Sequence, residues 1–199
     1  LGVILAVLFI GAPAMAVEEP PFQTIMKAGP FEVRNYPAMT VAEVTVTGDQ
    51  ATAGGRGFRL LAGYIFGANH ENRKIAMTAP VGLAKVGENI PMTAPVGQTR
   101  KGTTWIVRFT MPASFSLANL PTPNDPQVRL SLQPPVRVAA LQFSGWATES
   151  ATLRRSSELL DLVKTHHLRA MGPVTLAQYN PPWTLPFLRR NEVMVPVAP

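Results

Sequence analysis

The chain contains no cysteine. That excludes disulfides, thiolate metal sites, cysteine nucleophiles and a lipid-modified N-terminal cysteine. Histidine is scarce. There are three in 199 residues, His70, His166 and His167, and they bound any imidazole chemistry. Only 15% of residues are charged, with a net charge of +6. The basic residues fall in small scattered groups: Arg73-Lys74, Arg100-Lys101, Arg154-Arg155 and Arg189-Arg190. No basic stripe is interleaved with aromatics, so the concentrated face that nucleic-acid binding requires is missing. Catalytic signatures are missing too. The chain has no G-x-S-x-G, no phosphate-binding G-x-x-x-x-G-K-[ST], no H-E-x-x-H and no dinucleotide fingerprint. Glu32, Glu43 and Glu192 are single carboxylates that spacing does not pair for acid–base work. The expectation is a protein that is not an enzyme and has no catalytic residues.

What is present fits a globular fold. The chain is 46% hydrophobic, enough for a real core. Its 20 prolines and 15 glycines point to turns and interrupted strands rather than a helical bundle. The first sixteen residues, LGVILAVLFIGAPAMA, are uncharged and apolar. The run over residues 1–10 is short for a bilayer span. Ala14-Met15-Ala16 fits an A-x-A cleavage pattern ahead of acidic, proline-rich VEEPP. Residues 1–16 therefore read as a cleaved secretory signal, the alternative being a retained anchor. Export to a bacterial periplasm follows, with no stable membrane insertion after cleavage. Residues 17–30 read as a linker and 31–199 as the domain.

FEVRNY, residues 31–36, alternates apolar and polar and reads as a strand closed by Pro37. A β-branched strand follows over 40–46. Asp49 is placed to cap a helix running to about Gly67, although Gly54, Gly55 and Gly57 weaken its first turns. Two short strands are expected at 74–80 and 89–96, then strong ones at 105–111, 127–132 and 136–143. Ser150 is a candidate cap for a second helix, closed by Gly172-Pro173, and strands at 174–179 and 191–197 end the chain. Strand, helix, strand, strand thus describes both 40–96 and 136–197. The pattern is an internal repeat and predicts an α+β fold with antiparallel sheets.

A shorter repetition sits inside the first half. Met77-Thr78-Ala79-Pro80-Val81-Gly82 returns as Met92-Thr93-Ala94-Pro95-Val96-Gly97. Proline cannot donate to a ladder, so each copy is strand only up to its proline or lies at an edge. Met77 and Met92 either fill the core or line one hydrophobic wall.

N-R-K-I-A-M-T-A-P-V, I-P-M-T-A-P-V and Y-N-P-P-W-T-L-P-F-L-R-R-N-E-V together resemble the SOUL/p22 family of heme-binding proteins, and F-E-V-R-N-Y-P is similar too. The resemblance runs from about Phe31 to Val197. It implies a distorted antiparallel β-barrel built from two βαββ repeats with two helices. It also implies a tetrapyrrole held between the end of the first helix and the proline-rich loop before the last strand. Those positions here are Gly63, Tyr64, Ile65, Phe66 and Gly67, and Tyr179, Asn180, Pro181, Pro182 and Trp183. Animal members carry lysines near the helix end and after the proline pair. This chain has Gly63 and Thr184 there, with Arg189, Arg190 and Lys74 as candidate substitutes by their proximity in sequence.

Heme can be held by its iron, its faces or its acid groups. His70 is the candidate iron ligand, read otherwise as a loop histidine among Glu71, Asn72, Arg73 and Lys74. His166-His167 suits the C-terminus of the second helix. Trp183 is the candidate for stacking on the macrocycle, or else it plugs the end of the barrel. Arg189 and Arg190 either clamp an anion or form a solvated face. The expectation is a monomer that binds heme or a related tetrapyrrole reversibly in a mainly hydrophobic pocket, as carrier, scavenger or buffer. The alternatives are an exported module for another amphipathic small molecule and an envelope hydrolase on the same scaffold.

Overall fold

The fold was analysed in a computed structural model that describes residues 17–86 and 103–199. The apolar N-terminal run, the second M-T-A-P copy and Met92 lie outside the described residues. Among the described residues, nine strands form one antiparallel sheet: β1 (Gln23–Ala28), β2 (Phe31–Tyr36), β3 (Met39–Thr47), β4 (Val81–Lys85), β5 (Thr104–Thr110), β6 (Arg129–Gln133), β7 (Val136–Phe143), β8 (Thr175–Gln178) and β9 (Asn191–Pro196). Helix α1 (Gln50–Ile65) follows β3, and α2 (Glu149–Thr165) follows β7. Strand β1 forms within the stretch expected as a linker. The sheet curls into a half-barrel whose edges are β1 and β6.

The spatial order is β1-β2-β7-β9-β8-β4-β5-β3-β6. With β1 set aside, this order is unchanged when β2 swaps with β6, β7 with β3, β9 with β5 and β8 with β4. The repeat read in the sequence is therefore a pseudo-two-fold, and its seam is β4 against β8. The outer strands are exchanged. β2 precedes the first repeat but pairs with β7, and β6 precedes the second but pairs with β3. Each half thus borrows a strand from the other, which makes one cooperative sheet of two similar parts.

Period-two alternation sets one face of β3, β5, β7 and β9 against the helices. One ladder row crosses seven strands as Phe31, Leu141, Val193, Leu176, Leu83, Val107 and Val44. All seven side chains are buried. Helix α1 lies over β3 and β5, and α2 over β7 and β9. On α1 the buried positions Ala53, Gly57, Leu61 and Ile65 recur every four residues, which makes one stripe facing the sheet. Asp49 caps this helix by accepting from the Thr52 amide at 2.8 Å. The cap of α2 is Thr148 rather than Ser150, accepting from the Ala151 amide at 3.2 Å. The shift is two residues because Glu149 and Ser150 already lie in the first turn.

The first of the two strands expected after α1 is displaced. Residues 74–80 do not form a ladder strand, since Pro80 lacks the donor that a ladder needs. They cross the sheet end through isolated bonds: the Ile75 amide to Ile65 O at 2.7 Å, the Ala79 amide to Glu18 O at 2.9 Å, and the Thr78 hydroxyl to Thr110 O. The Ala79–Pro80 peptide is cis. The first strand after the helix is β4, which starts just beyond Pro80, and its partner is β5. The other expected strand, 89–96, falls outside the described residues.

Gly57, which sequence reasoning counted as a weakness of the helix, has a structural reason. A Cβ there would stand 2.3 Å from Cγ2 of Val107, so the bare backbone lets α1 sit directly on β5. Gly57→Ala is expected to force the helix off the sheet and cost about 1–3 kcal/mol. A thermal melt should register a fall of roughly 3–10 °C. An unchanged melting temperature would show that the helix rides higher than described.

Candidate functional site

On the sheet face opposite the helices, alternation brings together charges from strands far apart in sequence. Glu32, Arg34 and Tyr36 of β2 face Glu192 of β9 and Tyr179 and Arg190, which flank the β8–β9 loop. Arg34 is 3% exposed and Glu192 0%. The Arg34 guanidinium donates to both Glu192 oxygens, at 2.7 and 3.0 Å. The Tyr179 hydroxyl donates to Glu192 Oε2 at 2.7 Å, and Arg190 donates to Oε1 at 3.0 Å through Nη2. Arg34 also donates to Glu32 at 2.7 Å, while Arg190 reaches Glu19 at 3.0 Å and lies 3.8 Å over the Tyr179 ring. The N-terminal segment closes over this cluster. Phe22 packs under the Arg34 guanidinium at 4.5 Å and against Tyr36 at 5.2 Å.

The electrostatics follow from this geometry. Burial alone would raise the Glu192 pKa. The hydrogen bonds and charge of Arg34, then Tyr179 and Arg190, overcome burial and hold the pKa below the usual carboxylate value. Burial and the neighbouring Glu192 push the Tyr179 phenol well above its usual value, and burial raises Tyr36. The carboxylates that sequence reasoning left single are therefore engaged by arginines, and Glu43 likewise accepts from Arg108 at 2.7 Å.

The expected binding residues separate into buried and displayed groups. At the end of α1, Tyr64 and Ile65 point into the core. The Tyr64 hydroxyl donates to Pro121 O at 2.9 Å, and burial pushes its pKa up to about 12. Gly63, Phe66 and Gly67 present surface there, and Phe66 is exposed. Buried Asn69 shapes the following turn. Its amide donates to Tyr64 O and Arg73 O, and its oxygen accepts from the Arg73 amide. The His70 ring is exposed, and its backbone amide donates to Thr122 O at 3.0 Å. Hydrogen bonds thus tie this helix end to residues 121–124. Among the described residues, no group of three or more His, Asp or Glu side chains could hold a metal ion. Met77 is half-buried against the core. His166 caps α2 and stacks on Phe31 at 5.0 Å.

The β8–β9 loop, residues 179–190, is displayed. Trp183 is 83% exposed and Phe187 71%, with Leu185 and Leu188 also more than half exposed. Trp183 plugs nothing. Arg189 instead holds the loop from beneath, donating to Thr184 O at 2.8 Å and to Pro182 O. It also lies 4.0 Å over the ring of exposed Trp146. The Gly145 amide donates to Pro186 O at 2.9 Å, and the Asn180 side chain accepts from the Arg190 amide. Pro181 and Pro182 are exposed at the loop's entry. The helix end and this loop lie at one end of the sheet, since Ile65 bonds Ile75, Thr78 bonds Thr110, and Val81 opposes Gln178.

An open cavity of about 270 Å³ lies between the helices, floored by Leu83 and Leu176 at the seam and walled by Trp105, Leu153 and Leu160. Its volume is below the ~300–1,000 Å³ of ordinary ligand pockets. None of the expected site residues lines it.

The SOUL heme-binding protein family model matches residues 17–196, and the chain belongs to that family. No curated protein matches the chain in sequence. Solved structures share its fold at low identity. The EcmrR C-terminal domain superposes with a TM-score of 0.60 at 10% identity, covering 89% of this chain and 98% of that one. An uncharacterized conserved protein from Listeria innocua gives 0.61 at 13%, covering 84% and 92%. A hydrolase from Listeria innocua gives 0.54 at 11%, covering 87% and 94%. At these identities the likeness is one of fold alone.

Glu192→Gln should leave Arg34 buried beside a neutral amide, costing about 3–5 kcal/mol. The sign of the pH dependence follows from the depressed Glu192 pKa. Its contribution is present above the unfolded value near 4.5 and is lost as pH falls through the lower folded value. Tyr179 and Tyr36 act oppositely, since their raised pKa values stabilise below about 10 and that gain is lost above it. Denaturant titration across pH should show a stability plateau between these limits, with the acid limb flattened in Glu192→Gln. Equal acid sensitivity in both proteins would remove Glu192 from this role.

Proposed function

We propose that the protein binds heme or a related tetrapyrrole reversibly, as an exported carrier, scavenger or buffer acting as a monomer in the periplasm. The observation that carries the reading is Trp183, a tryptophan held almost fully in solvent by a loop that Arg189 braces. An aromatic face in that setting is prepared to stack on a flat apolar partner, because its exposure is not a product of slack backbone. Family membership supplies the class of partner. Phe66, Trp183 and their apolar neighbours would take the faces of the macrocycle. His70 is the candidate iron ligand, as an exposed ring beside that end of the sheet.

The acid groups of a tetrapyrrole find fewer partners. Arg190 is engaged by Glu192 and Glu19, and Arg189 by loop carbonyls. Lys74 is exposed and stands near the helix end in sequence. Binding by faces can still suffice. Covering about 300–400 Å² of apolar macrocycle gives roughly 8–10 kcal/mol gross. Association costs remove several kcal/mol, which leaves affinity on the order of micromolar. Family membership favours a binding protein over a hydrolase.

Titration with hemin and with metal-free protoporphyrin tests the reading. Binding of both with similar affinity is expected for a face-held macrocycle, and Trp183→Ala should weaken each by about tenfold, or ~1.4 kcal/mol. Binding of hemin alone, abolished in His70→Ala, would transfer the main role to iron ligation. Binding of neither would overturn the proposal in favour of another amphipathic ligand.

A further inference from the structure

The loop that carries Trp183 has a second apolar surface which stacking on a macrocycle does not require. Beyond Trp183, a single 3-10 turn, Pro186–Leu188, turns Phe187 and Leu188 outward, with Leu185 just before it. Trp146, exposed at the start of α2, stands beside them, since Gly145 bonds Pro186 and Arg189 covers the Trp146 ring. Exposed apolar side chains scattered singly need no explanation, but a cluster of them does. This one is fixed in place. The Leu188 amide donates to Leu185 O at 3.0 Å, the Arg189 amide to Pro186 O at 3.1 Å, and the Thr184 amide to Pro181 O at 3.0 Å.

The loop's own charge has one sign, with Glu192 and Glu19 pairing Arg190 at its exit. Residues 179–190 contain no Asp or Glu. Arg189 lies at the base of the loop, and Arg155 lies 5.8 Å from the ring of Phe143, the residue that opposes Asn191 at the loop's exit. Arg154 beside it is exposed. The acidic neighbours on α2 are Glu149 at its first turn and Glu158, which is paired with Arg155 at 2.6 Å. The chain as a whole carries +6. Tryptophan and arginine around an aliphatic tip match the layering of a bilayer interface, where indole rings lie at headgroup depth and cations meet lipid phosphates.

We infer that this tip docks the protein on an anionic lipid surface, with Phe187, Leu188 and Trp146 reaching the boundary between headgroups and acyl chains. The inference does not rest on tetrapyrrole binding, and its vesicle assay contains no tetrapyrrole. Nor does it involve a spanning segment, since no helix among the described residues is long and apolar enough to cross a membrane.

Cosedimentation with vesicles of phosphatidylcholine and phosphatidylglycerol tests it. The full chain is compared with a chain starting at Val17, which retains every strand and helix described and lacks the apolar run of residues 1–10. The chain from Val17 should bind, more weakly on pure phosphatidylcholine and at high salt. Phe187→Ser with Leu188→Ser should reduce binding at least tenfold without lowering the melting temperature, because both side chains are exposed. Brominated lipids should quench tryptophan fluorescence in the parent and not in the double variant, for both chain lengths. A chain from Val17 that stays in the supernatant would overturn the inference, as would equal quenching in parent and variant. Concentration-dependent dimerisation abolished by the same variant, with no vesicle binding, would assign the tip to a second copy instead. Hemin titration without vesicles separates failure here from failure of the tetrapyrrole reading.

Discussion

One buried carboxylate organises the end of the sheet that carries the β8–β9 loop. Glu192 sits on β9 with no solvent to hydrate it, so its charge is tolerable only if every oxygen is answered. Arg34 answers from β2, across the intervening β7, and Tyr179 and Arg190 answer from the two ends of the β8–β9 loop. The loop is therefore pinned at both ends to one acid group before its own internal bonds are counted. Glu19 and Phe22 extend the same cluster into the N-terminal segment. A loop with such fixed ends can hold Trp183 and Phe187 in water without collapsing onto them.

The exchanged outer strands explain why the cluster crosses the halves. β2 precedes the first repeat in sequence yet lies beside β7, so Arg34 comes within reach of β9 only through the exchange. Had β2 paired with β3, its Arg34 would lie at the far edge of the sheet and Glu192 would be buried alone. The fold's symmetry and its central ion pair are thus one constraint. The seam of β4 and β8 joins the helix-bearing units, and the charges on the opposite face hold the borrowed strand in register.

Much of this was legible from sequence, and the gaps have physical causes. The strand–helix–strand–strand repeat could be read because β5 and β7 alternate or run apolar and because α1 keeps a four-residue stripe. The strand after α1 was misplaced because M-T-A-P-V has β-like composition on both sides of a proline, and composition does not say on which side the ladder begins. The Arg34–Glu192 pair left a signal in the alternation of FEVRNY and NEVMVP, which sets a charged residue on the non-helix face of each strand. Reading it required knowing that β2 and β9 flank one strand, a fact of strand order that local pattern does not carry. Gly57 was misjudged for a related reason, since propensity counts the backbone entropy of glycine and cannot see Val107 pressing on the helix.

The arginines determine what kind of partner the displayed surface can take. Arg189 and Arg190 looked in sequence like a clamp for anions. In the fold, Arg190 neutralises Glu192 and Glu19, and Arg189 spends its donors on carbonyls of the loop it supports. A guanidinium committed to internal partners contributes little attraction to an incoming carboxylate unless those bonds break, and breaking them would release the loop that displays the aromatics. The recognition proposed for this end would therefore rest on apolar faces and shape, with charge acting at longer range through the overall positive field. That division suits partners that are broad, flat and mostly apolar with acid groups at their margin, a description that covers both a tetrapyrrole and the surface of an anionic bilayer.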